Sequence, residues 1–202
     1  TNHGLGMKRI DHQLVYELNW NIDMTEEEYF ALYYKLLEKE YGVLKQDVFI
    51  VEWVCRTMPE SPVYFFSYDF RKSCRDNAEH LNKQIEELVS EGHSLVNIVC
   101  HSMGGLVTSA YAAKYGTDRL GKVVMLGVPF EGSYEIINTY MTGDIIMVPN
   151  AVADTVGITR DILRGFQSLA ELMPSVRHLE ASPLVKFGVP MSVGDMEDFL
   201  YS

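Results

Sequence analysis

Hydrophobic and polar positions alternate along this chain with two different periods. Between Thr25 and Gly42, the apolar side chains Phe30, Tyr33, Tyr34, Leu37 and Tyr41 fall on one face, which predicts an amphipathic helix. Thr25 and Glu28 make a capping box at its start, the hydroxyl accepting from a free helix N–H while the glutamate reaches back. Ala78, Leu81, Ile85, Leu88 and Val89 form a second such face and predict a helix over Asn77–Glu91, stopped by Gly92. Three short, nearly all-apolar runs, Val63–Tyr68, Val96–Cys100 and Lys122–Val128, predict strands. Asp47–Val54, rich in Val, Ile, Phe and Trp, reads as a strand or buried extended run. Met103–Tyr115 is rich in small residues, ends at Gly116 and predicts a helix. Val15–Leu18 is apolar but too short to type.

From Val63 to Val128 the order is therefore β, α, β, α, β. Apolar strands alternating with helices imply an α/β fold, with a mostly parallel central sheet and helices on both faces. The pattern loosens after Glu131. Tyr134–Val148 is apolar but broken by Gly143 and Asp144, and Gly157–Leu172 predicts a helix capped by Thr159, with Pro174 behind it. The tail over 181–202 is irregular. This predicts a single domain over 1–202 with a lid or cap insertion at 134–175. Ile136, Ile137, Tyr140, Met141, Ile145, Ile146 and Met147 suit an acyl pocket under a lid and the core of an insertion equally well.

Composition narrows the function. Hydrophobic residues make up 47% of 202, enough for a sizeable core. A formal net charge of −11 without any Lys/Arg run argues against a nucleic-acid partner. Cys55, Cys74 and Cys100 are odd in number and form no C-x-x-C pair, so a disulfide framework is excluded and reduced, buried thiols are expected, with one bridge left open. No apolar signal region lies within Thr1–Arg9, and no run is long enough to span a bilayer. The expectation is a soluble, cytoplasmic protein without a transmembrane segment. Transient contact with a membrane surface, and pairing of an exposed edge strand with a second copy, stay open.

The strongest chemical signal is Cys100-His101-Ser102-Met103-Gly104-Gly105, set between a predicted strand and a predicted helix. That is the context of a nucleophile elbow, in which a sharp turn lifts a serine hydroxyl above the sheet. Small neighbours let strand and helix approach, and the helix N-terminus aims backbone N–H groups where oxyanion charge develops. Ser102 is the candidate nucleophile and the Met103 N–H a candidate oxyanion donor. Cys100 stands where the usual G-x-S-x-G motif has glycine. The plainer alternative makes Ser102 an ordinary helix N-cap.

Four segments in order resemble the lecithin:cholesterol acyltransferase-like lipases of the α/β-hydrolase superfamily. Tyr68-Asp69-Phe70-Arg71-Lys72-Ser73, with Asn77-Ala78-Glu79 and Leu81, is similar to that family's Y-D-W-R segment and the helix behind it. His101–Val107 matches its elbow, Gly127-Val128-Pro129-Phe130-Glu131-Gly132-Ser133 its G-T-P-x-x-G-S segment, and Leu172-Met173-Pro174-Ser175 its L-L-P-S segment. The resemblance covers about Tyr29 to Ser175. It implies a serine esterase, lipase or acyltransferase on apolar, lipid-like esters, with Ser, Asp and His in chain order and no metal or cofactor.

The family's early P-G-x-x-G-S loop and its late Asp and His have no matching motif here. His178 is the one histidine after Ser102 and so the candidate base. Asp144, Asp154, Asp161, Asp195 and Asp198 all follow the serine, and nothing singles one out. Three readings stand at this point: a catalytic serine enzyme, an inactive hydrolase-like scaffold or lipid-binding module, and an inert piece of a larger enzyme.

Overall fold

The computed structural model describes residues 6–10, 35, 47–142, 160–183, 185–186, 189–190, 192, 194–195 and 198. They fall into two units, 1–69 and 70–202.

In the first unit, β1 (Gly6–Arg9) pairs antiparallel with β2 (Tyr64–Ser67), Gly6 opposite Ser67 and Arg9 opposite Tyr64. The Ile10 N–H extends the pairing to the Val63 carbonyl at 2.7 Å. Asp47–Val54, expected to be extended, instead caps and enters helix α1 (Val48–Thr57). Val51 and Cys55, four residues apart, are buried on one side, while Phe49 and Trp53 stay exposed on another. Arg56 donates to Glu52 at 2.8 Å, a further i,i+4 contact. An apolar run of this length carries no decisive period, so burial on one helical face settles what the sequence pattern leaves ambiguous. Of the helix expected over 25–42, only Lys35 is described, and it is helical. Its capping box and Val15–Leu18 lie outside the described residues.

The second unit holds the alternating core: α2 (Cys74–Ser90), β3 (Val96–His101), α3 (Met103–Tyr115) and β4 (Leu120–Leu126). α2 begins at Cys74, three residues before the predicted start at Asn77, where the Ser73 hydroxyl accepts the Asp76 N–H at 3.0 Å. Ala78, Leu81, Ile85 and Leu88 of α2, with Val107 and Tyr111 of α3, form the core where the two helices pack. β3 and β4 run parallel from Val96–Leu120 to His101–Leu126. Their register shifts between Val96 and Ile98, where the Asn97 side-chain oxygen takes the Lys122 N–H at 2.7 Å.

The parallel pair and the α–β alternation match expectation. Among the described residues the strands form three separate two-stranded sheets, and β2 is paired with β1. Among the described residues β4 is only partly covered. Its successive residues Val123, Val124, Met125 and Leu126 are each 37–42% exposed, and neighbours along a strand point to opposite faces.

Beyond β4 lie α4 (Tyr134–Thr142), α5 (Arg160–Arg164), α6 (Gln167–Glu171), α7 (Val176–Ala181) and an antiparallel pair, β5 (Val185–Lys186) and β6 (Val189–Pro190). The single helix expected over 157–172 is broken. Gly165 and Phe166 donate to Ile162 and Leu163, closing α5 with tight i→i−3 bonds, and Phe166 then turns extended. Thr159 and residues 143–158 lie outside the described residues. Within 134–175, Ile137 and Leu163 are buried, and the Arg164 guanidinium sits 4.9 Å from the centre of the Tyr140 ring. Ile137 is thus core; Ile145, Ile146 and Met147 are not described. No helix among the described residues is long and apolar enough to cross a membrane.

Candidate active site

β3, apolar up to Cys100 but for Asn97, stops at His101, while α3 starts at Met103. The chain reverses direction on one residue. Ser102 has φ 51 and ψ −126, the one positive φ among the described non-glycine residues. Such a conformation costs about 1–3 kcal/mol and persists only where its surroundings hold it. Here they do. The Ser102 N–H donates to the Leu126 carbonyl at 2.9 Å, tying the turn to the end of β4, and the Gly105 N–H donates to the Ser102 carbonyl at 3.0 Å. Gly105 lies so close to Val128 that a Cβ would sit 2.6 Å from Val128 Cγ1 and closer still to Cγ2.

An ordinary N-cap has extended backbone and a side chain that accepts a first-turn N–H. Ser102 has neither, since its hydroxyl makes no capping bond. The elbow geometry therefore stands against the N-cap alternative. Met103 is the first helical residue, and its N–H lacks an intrahelical acceptor at the positive end of α3. Cys100 is accommodated in the motif's first small position: its thiol is buried, donates to the Val124 carbonyl at 3.5 Å, and is pushed up in pKa by burial, opposed by a hydrogen bond with Thr108. All three cysteines are buried and outside any disulfide.

His178 sits in the first turn of α7, where the Ser175 hydroxyl accepts its N–H at 3.1 Å. Its ring Nδ1 lies 3.0 Å from the Glu131 carbonyl, and Tyr134 packs edge-on against the ring at 4.7 Å. A carbonyl only accepts, so Nδ1 carries the proton and, in the neutral ring, Nε2 the lone pair. Among the described residues no imidazole is hydrogen-bonded to the Ser102 hydroxyl. Of the candidate acids, Asp195 is exposed and accepts from the Ser192 hydroxyl at 2.6 Å, and Asp198 is exposed. Asp144 and Asp154 lie outside the described residues. No cluster of three or more metal-ligating side chains occurs among the described residues.

Two of the motif segments interlock. The Ser133 N–H donates to Leu172 at 2.9 Å and the Ser175 N–H to Glu131 at 3.0 Å. Gly132, at φ 78, is pressed against the Met173 carbonyl, with no room for a Cβ. The Tyr134 hydroxyl donates to the carbonyls of His178 and Ser182. The segment after Asp69 is tied down too: Phe70 packs edge-on against Phe166, and the Ser73 and Cys74 N–H groups donate to Gln167 at 3.3 Å and Glu171 at 2.6 Å. Motif order alone reveals none of these pairings. The i,i+4 spacing of Gln167 and Glu171 is the one local signal, and it says only that they share a face.

A serine at positive φ between a parallel strand and a helix defines a protein of the α/β-hydrolase class. The lecithin:cholesterol acyltransferase family model matches residues 28–186, and the chain belongs to that family. No curated protein matches the chain. Among solved structures it is similar to a Bacillus licheniformis lipase in its mature form, at 19% identity and a TM-score of 0.40. That match covers 56% of this chain and 45% of the lipase, so the chain spans less than half of that enzyme's length.

Proposed function

We propose that this chain carries the nucleophile of a serine esterase, lipase or acyltransferase acting on a carboxylic ester with an apolar, lipid-like part. The observation that carries the proposal is the Ser102 backbone, held at φ 51 between β3 and α3 with its hydroxyl uncommitted to capping. The Ser102 oxygen attacks the ester carbonyl, and the alkoxide that develops is met by the Met103 N–H and the α3 dipole. Collapse expels the alcohol and leaves an acyl-enzyme, which water or a second alcohol releases. The chemistry needs no metal or cofactor.

His178 is the candidate base, supported by a tautomer that leaves Nε2 able to accept a proton. The acid and the second oxyanion donor are unassigned. Family membership supports the lipid-like substrate class. A second reading, a non-catalytic scaffold or lipid-binding module, draws support from Ser102 having no hydrogen-bonded imidazole among the described residues.

Hydrolysis of p-nitrophenyl esters of graded acyl length separates the two. The enzymatic reading expects turnover that rises with acyl length and disappears in Ser102→Ala. Turnover equal in wild type and Ser102→Ala would remove it.

A further inference from the structure

We infer that Glu131 is a positioning residue for Ser102, acting through the loop 127–133. The inference rests on the reading of Ser102 as a nucleophile. Glu131 is joined to the 172–178 segment by three hydrogen bonds. Its carbonyl accepts the Ser175 N–H and the His178 Nδ1–H, each at 3.0 Å, and its carboxylate accepts the Ser175 hydroxyl at 2.5 Å. The next residue, Gly132, has no free space against the Met173 carbonyl. One end of the loop is thereby fixed.

The other end presses on the elbow. Val128 fills the space beside Gly105 in the first turn of α3, and Leu126, just before the loop, accepts the Ser102 N–H. Between the two ends the loop has little slack. The Phe130 N–H closes on Val128 and the Gly132 N–H on Pro129, both at 3.0 Å. A displacement at Glu131 therefore reaches Val128, and through it the turn that holds the serine.

The carboxylate's bond to Ser175 matters more than its pairing with Arg177. That ion pair is 3.6 Å long and Arg177 is 86% exposed, so solvent screens it. The bond to the hydroxyl is charge-assisted. Glu131→Gln keeps an oxygen acceptor for Ser175, whereas Glu131→Ala removes it, as does Ser175→Ala from the other side.

The test is the rate of fluorophosphonate labelling as a function of probe concentration, which separates probe binding from the chemical step. Glu131→Ala and Ser175→Ala are expected to lower the limiting rate about tenfold or more without changing the half-saturating concentration, in line with the sensitivity of positioned reactions to small displacements. Glu131→Gln is expected to retain the wild-type rate. A wild-type rate in Glu131→Ala, or an equal loss in Glu131→Gln, overturns the inference. If the wild type takes no label, the enzymatic reading fails separately, and positioning is read instead by hydrogen exchange. Faster exchange of the Ser102 and Gly105 amides in Glu131→Ala then supports the relay, and unchanged exchange refutes it.

Discussion

A methyl group added at residue 105 would lie 2.6 Å from Val128 Cγ1, well inside van der Waals contact. Gly105→Ala therefore forces the valine aside, at a cost of about 1–3 kcal/mol for an overpacked site. Urea denaturation should show that loss, and Val128→Ala in the same chain, which removes the two nearest methyl groups, should recover part of it. An unchanged midpoint in Gly105→Ala would contradict the packing described. The thiols give a second residue-level prediction. Burial raises Cys55 from 9.0 to about 11, and burial together with Glu171 raises Cys74 from 9.0 to about 12. A thiol raised on folding stays protonated in the folded state while the unfolded chain begins to ionise. Its contribution is fully present below pH 9 and is lost as pH rises toward 11 and 12. The urea midpoint should hold to about pH 9 and fall above it; a midpoint rising over that range would be the wrong sign. Residue-level chemistry is only partly legible in the sequence. Ser102 is readable because strand, small residues and helix are contiguous there. Glu131 is not, because its partners Ser175 and His178 stand 44 and 47 positions away.

At the scale of elements, helix ends decide more than helix faces. The face of α2 is readable from Ala78, Leu81, Ile85 and Leu88, but its start is not, since Ser73 caps it at Cys74, ahead of the predicted start at Asn77. Ser73→Ala should cost about 1 kcal/mol. Glu171→Ala should destabilise the same helix end, because it removes the carboxylate that accepts the Cys74 N–H at 2.6 Å. The two changes touch donors of the same first turn, the Asp76 and Cys74 N–H groups, so their double mutant should depart from additivity; thermal denaturation of the three variants measures this, and strict additivity would argue against a shared cap. Elements depart from expectation where propensity and period do not discriminate. Val48–Thr57 is apolar enough for a strand yet is helical, with Val51 and Cys55 buried one turn apart. The apolar period over 157–172 passes over Gly165, at which the chain closes one short helix before opening another.

Over the whole molecule, the α/β class and the parallel pair at the elbow are legible in the sequence, and the extent of the sheet is not. Local pattern identifies a strand but not its neighbour, and β2 takes its partner from Gly6–Arg9, far earlier in the chain. The apolar run of β4 implies cover on both faces, whereas its side chains remain partly open. What the molecule preserves is the strained turn, anchored by Leu126, Gly105 and Val128. That turn is the centre of the proposed function. The most direct test is fluorophosphonate labelling followed by intact mass and peptide mapping, on wild type and Ser102→Ala. The account predicts a single adduct on Ser102 that is absent from the variant. A folded wild-type chain that takes no adduct, or an adduct that persists in Ser102→Ala, would contradict it.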